Sequence, residues 1–137
     1  GILIAKGAQL IQHSNEDFFV GPASGTFTHD GMVVVPCSMK TLAAIASGMA
    51  GSLIERAADV CLKERRPLIL VPRETPYSTV HLNNMLSAAQ AGAVILPPAP
   101  AFYFHPKTIE ELADFIAARI LDQLGIRHSL IDEWRGK

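Results

Sequence analysis

The residues of this sequence best suited to handling an anionic ligand each come in a segment that a proline opens after an apolar run: Arg73 with Glu74, Ser38 with Lys40 and Thr41, and Tyr103. A guanidinium at Arg73 can grip a phosphate through two parallel N–H donors, and the neighbouring Glu74 carboxylate is a group that can move a proton. The same two side chains could instead pair with each other. Ser38 to Thr41 leads into the apolar stretch Leu42-Ala43-Ala44-Ile45-Ala46, so its hydroxyls and amides would stand at a helix N-terminus and receive an anion. The plainer alternative is that Ser38 and Thr41 only cap the helix and Lys40 is solvated. Tyr103, between Phe102 and Phe104 in a proline-rich loop, offers an aromatic wall and a hydroxyl donor, which suits an apolar ligand tail ending in phosphate, or loop packing alone.

Other cations read more plainly. Lys63 lies in the run Lys63-Glu64-Arg65-Arg66 at a helix end, where basic groups complement the dipole and are usually solvated. Arg119 falls among apolar neighbours on the last helix with Phe115 at i−4; an inward guanidinium needs an anionic partner, whereas a snorkelling surface arginine is the commoner arrangement. His81 and His105 have no ligand-like partners, and Cys37 and Cys61 form no zinc pattern, so no metal is expected. No G-x-G-x-x-G or P-loop is visible. Ser24-Gly25, within Gly21-Pro22-Ala23-Ser24-Gly25-Thr26, is by itself a turn signal.

These residues need elements to position them. Three apolar runs, at 32–35, 68–71 and 93–96, are continuous rather than alternating, the pattern of parallel strands buried on both faces. Each is closed by proline, which removes a ladder donor, so three abrupt exits fall on one sheet edge. Ser52 with Glu55 opens a helix to about Glu64, Ser78 caps another ending before Gly92, and Thr108 with Glu111 opens a last one that stops at Gly125 and covers one sheet face. The alternation specifies an α/β fold: a doubly wound, Rossmann- or flavodoxin-like three-layer sandwich with a mainly parallel sheet and ligands beyond the strands' carboxyl ends.

Composition narrows the class. With 137 residues and 49% hydrophobic content the chain can bury the core of one domain, 1–137. Twelve basic against 13 acidic residues give no broad field for nucleic acid or an acidic membrane. Two cysteines suit a reducing cytosol, and no apolar run approaches a membrane span, so a cytoplasmic protein is expected. Ile2-Leu3-Ile4-Ala5 reads as a strand already in progress, so the domain is expected to be incomplete at its N-terminus.

Taken together, Pro22-Ala23-Ser24-Gly25, the segment from Val35 to Leu42, Arg56-Ala57-Ala58-Asp59-Val60, the segment from Leu62 to Leu68, Val71-Pro72-Arg73-Glu74-Thr75-Pro76 and Pro100-Ala101-Phe102-Tyr103 closely resemble the UbiX-type flavin prenyltransferases. The resemblance runs from Pro22 to Ile126. It implies a homo-oligomer, typically dodecameric, that joins dimethylallyl monophosphate to reduced FMN across N5 and C6 without a metal. The product would serve a prenylated-FMN-dependent decarboxylase, in ubiquinone biosynthesis among other settings. Carried over by motif, Ser38, Met39, Lys40, Thr41 and Arg73 would bind FMN. Ser24, Gly25, Lys63, Arg73, Glu74, Tyr103 and Arg119 would surround the prenyl phosphate, with Glu74, Lys63 and Arg73 acting in catalysis. The sequence departs from the family in three places: the first strand with its Gly-Ala-Ser-Gly-Ala phosphate turn does not occur, Ala5 stands where serine is usual, and the stretch between Gln12 and Asn15 is shortened. Two other classes compete: a phosphopantothenoylcysteine-type decarboxylase, which the segments at 72–76 and 100–103 argue against, and a non-catalytic FMN-binding or oligomer-forming module.

Overall fold

Three parallel strands, β1 (Met32–Cys37), β2 (Leu68–Pro72) and β3 (Val94–Ile95), lie side by side in that order in the computed structural model, which describes residues 8–131. The strand expected at Ile2 to Ala5, and Ala5 itself, fall outside the described residues. Four helices complete the alternation: α1 (Met39–Ala46) and α2 (Leu53–Lys63) between the first two strands, α3 (Thr79–Ala91) before β3, and α4 (Ile109–Gln123) after it.

Sequence alternation along β2 sorts its side chains between two faces. Leu68 and Leu70 join Val34 and Cys37 of β1 in one cluster with Leu42 and Ile45 of α1, Ala58 and Cys61 of α2, and Ala88 of α3. Three helices therefore share one face, as same-handed crossovers between successive neighbouring strands require. Ile69 and Val71 point the other way and are equally buried. Of α4 only Ala118 is fully buried, and after that helix Leu124 reaches Gly31 at the start of β1.

Only β2 is buried along its whole length; Val35 in β1 is 60% exposed and Val94 in β3 is 36% exposed. The expectation that all three runs are buried on both faces is corrected: β1 and β3 are edges among the described residues, and edges lack a flanking strand and its covering side chains. Proline does not stop β1 either. Pro36 lies within it, at the place where the register slips between Val34↔Leu70 and Cys37↔Pro72, since an edge strand can spare the missing N–H at a bulge.

The helix starts follow the sequence signals. Ser38, Ser52, Ser78 and Thr108 each accept a backbone N–H three residues on. Neither glutamate closes a reciprocal box: Glu55 accepts from Gly51 N–H and Glu111 from Lys107 N–H, one residue before each cap. All four helices end alike. The pairs Met49 N–H to Ala44 O, Arg66 N–H to Cys61 O, Ala93 N–H to Ala88 O and Ile126 N–H to Leu121 O close Schellman motifs. Their left-handed residues are Gly48, Arg65, Gly92 and Gly125, with φ of 70°, 55°, 115° and 68°.

Candidate functional site

The carboxyl ends of the strands carry one group of the expected residues. Ser38 caps α1, its Oγ accepting Thr41 N–H at 3.1 Å and meeting Thr41 Oγ1 at 3.0 Å. Ser38 and Lys40 are exposed, whereas the Met39 side chain packs against the core. Arg73 and Glu74 leave β2 into solvent and do not pair with each other; Glu74 Oε1 accepts Thr75 N–H at 3.0 Å, and Arg73 has no salt bridge among the described residues. Beyond β3, Tyr103 meets Phe104 edge-on at 5.9 Å, and Phe104 stacks on Phe115 of α4 at 5.5 Å. A capped helix start, two hydroxyls and two exposed cations fit an anionic group such as the phosphate of a flavin mononucleotide.

A second group stands at the opposite edge of the sheet. Ser24 and Gly25 lie in the loop before β1, where Ser24 Oγ meets Thr26 Oγ1 at 2.9 Å and Phe27 N–H closes a turn onto Ser24 O at 3.2 Å. Lys63 ends α2 and pairs with Glu64 at 2.6 Å; that hydrogen bond and the ammonium's charge hold the Glu64 carboxyl below its usual range. A Cβ on Gly25 would lie 2.5 Å from Glu64 Oε1 and 2.8 Å from Lys63 Nζ, so this glycine admits the pair. Lys63 is thus paired with its neighbour and still about half exposed. Lys63 stands before β2 and Arg73 after it, so about 13 Å of strand separates the two ends from which they project.

Arg119, near the end of α4, is exposed and bound to Asp122 at 2.6 Å, and Asp122 also meets His128 Nε2 at 2.9 Å. Its partner lies at i+3. Two arginines that the sequence reading did not single out are engaged at the loop edge: Arg56 Nε donates to Ala23 O at 3.2 Å, and Arg66 donates to Phe27 O and Gly25 O, both at 2.7 Å. Their acceptors are carbonyls some 33 to 41 residues away, which no local spacing announces. Cys37, beneath the Ser38 segment, is fully buried, and burial pushes its thiol up to about 11. Among the described residues no three His, Cys, Asp or Glu side chains gather as for a metal, and no helix is long and apolar enough to cross a membrane.

A parallel sheet whose strand ends present a capped helix and exposed cations defines an α/β protein with an anion-receptive edge. Comparison with known proteins sharpens this class: residues 8–121 match the Flavoprotein family. The chain belongs to that family, in its UbiX-type branch. It is 52% identical over 130 residues to the flavin prenyltransferase UbiX of Pseudomonas aeruginosa, covering 95% of this chain and 62% of that protein. A solved AnUbiX complex with FMN and dimethylallyl pyrophosphate superposes with a TM-score of 0.88 at 53% identity, covering 91% of this chain and 66% of the other. A dodecameric FMN-dependent UbiX-like decarboxylase from Escherichia coli O157:H7 gives 0.87 at 51% identity, over 90% of this chain and 67% of the other. The chain therefore spans about two thirds of the length of such relatives.

Proposed function

We propose that the protein is a flavin prenyltransferase that joins the dimethylallyl group of dimethylallyl monophosphate to N5 and C6 of reduced FMN. The observation that carries this reading is the 53% identity and 0.88 TM-score to a structure holding FMN and a dimethylallyl donor. Reduced flavin supplies the electron-rich ring that the allyl group joins. The chain's own residues bind and orient: Ser38, Lys40, Thr41 and the Met39 backbone receive the flavin phosphate, with Arg73 beside them. Ser24, Gly25, Lys63, Tyr103 and Arg119 surround the prenyl phosphate, whose departure fixed cations favour. Glu74, freed from any pairing with Arg73, relays protons between flavin and leaving phosphate.

Lys63 with the Ser24–Gly25 loop precedes β2 whereas Arg73 with Ser38 follows a strand end, and on this reading one copy's Lys63 meets another's Arg73 in a homo-oligomer. The relative described as dodecameric supports this, and we take the assembly to be a dodecamer. Residues 1–137 belong to a single flavoprotein domain that acts in the cytoplasm, without a metal, and passes prenylated FMN to a decarboxylase. The test is anaerobic incubation of the protein with reduced FMN and either dimethylallyl monophosphate or dimethylallyl pyrophosphate, followed by mass spectrometry of the flavin. A flavin heavier by one prenyl unit with the monophosphate is expected; unchanged flavin with both donors overturns the reading.

A further inference from the structure

The segment from Asn15 to His29 lies along the whole of α2 and is tied to it in steps. Asn15 takes Leu53 N–H on its carbonyl at 2.7 Å and Ile54 N–H on its side-chain oxygen at 3.0 Å. Arg56 holds Ala23 O, and His29, with Nδ1 on Gly31 O at 3.1 Å, turns Nε2 to Cys61 Sγ at 3.8 Å. Arg66 makes the firmest grip, because its fork spans two carbonyls, Gly25 O and Phe27 O, each at 2.7 Å. Guanidinium-to-carbonyl bonds of this length are charge-assisted, and the planar fork fixes the spacing of both acceptors. The Schellman end of α2, with Arg65 in the left-handed region, turns the chain so that Arg66 enters the loop.

The carbonyls that Arg66 takes bracket Thr26, inside the turn that starts at Ser24. Gly25 in turn lies against the Lys63–Glu64 pair. Resting on the reading that Ser24, Gly25 and Lys63 face the prenyl phosphate, we propose that Arg66 is a positioning residue for that substrate. Its fork clamps the Ser24–Phe27 turn to the end of α2 and so sets where the Ser24 hydroxyl and Gly25 amide stand relative to Lys63 Nζ. Arg66 does not itself touch the substrate, since both ends of its fork are taken by the loop. A lysine offers one ammonium and cannot span both carbonyls.

The experiment is steady-state kinetics of the full-length protein and of Arg66→Lys and Arg66→Met, with flavin affinity measured separately. Arg66→Lys is expected to raise KM for dimethylallyl monophosphate about tenfold, with a smaller change in kcat and unchanged flavin binding, and Arg66→Met to raise it about a hundredfold. The lysine variant keeps the charge and one contact, so it reports even where the methionine variant fails to fold. A lysine-variant KM within about twofold of wild type overturns the proposal, as does flavin affinity that falls in step with the KM change. If the wild type transfers no prenyl group, the function reading fails instead. The clamp is then read by calorimetric titration with inorganic phosphate, where equal affinity of wild type and Arg66→Lys overturns it.

Discussion

Gly25 and Gly31 both lack space for a Cβ, yet the consequences differ with what stands in the way. At Gly25 the obstacles are Glu64 Oε1 and Lys63 Nζ, the free ends of long side chains. Gly25→Ala is therefore expected to change stability by less than about 1 kcal/mol while displacing Lys63, so that KM for the prenyl phosphate rises and the melting temperature hardly moves. At Gly31 the obstacles are Leu124 Cδ2 at 2.7 Å and Pro67 O at 3.2 Å, and that carbonyl also accepts Met32 N–H at 2.9 Å to set the β1–β2 register. Glu74 lies in solvent with one backbone contact. Glu74→Gln keeps that contact and removes the proton relay, so turnover should fall about a hundredfold or more, and undiminished turnover would refute the role. Cys37 adds a pH dependence. Its thiol is raised from 9.0 to about 11 by burial, so the fold keeps it neutral where the unfolded chain ionises it. Its contribution to stability is complete below pH 9.0 and is lost as pH rises toward about 11. Denaturation midpoints across that window should fall more steeply in wild type than in Cys37→Ala.

At the scale of elements, four helix ends share one geometry and three of them use glycine. Arg65 is the exception, held at φ 55°. A non-glycine residue there is strained by about 1 kcal/mol, so Arg65→Gly should leave the protein equally stable or stabilise it by up to that amount, with the Arg66 contacts intact. Gly92→Ala puts a Cβ at φ 115° and should cost about 1 kcal/mol or more, read by urea denaturation. A result in which Arg65→Gly destabilises by more than Gly92→Ala would show that the arginine side chain, rather than the backbone, holds the end of α2.

For the whole molecule, the placement of Lys63 before β2 and Arg73 after it makes a prediction about mixed assemblies. Lys63→Met and Arg73→Met homo-oligomers should each be nearly inactive. Co-expressed in equal amounts, they should recover about a quarter of wild-type activity, because one site in four then combines an intact Lys63 edge with an intact Arg73 edge. Co-assembled chains that stay inactive would mean that each copy completes its own site.

Strand and helix order, the four N-terminal caps and the glycine stops after α3 and α4 were legible because each depends on residues within a few positions of one another. The resemblance to a flavoprotein family was equally local, resting on short motifs in order, from Pro22 to Tyr103. Tertiary structure decided the rest. Val33 and Val35 look as buried as Ile69 and Val71 in sequence, but β1 is an edge among the described residues and β2 is not. Arg66 looked like one more solvated cation at a helix end, and its role depends on carbonyls about 40 residues earlier in the chain. The division of the candidate site between two sheet edges was also hidden. A motif records which residues follow a strand or a helix, while the direction of the chain through the sheet decides which of them can meet.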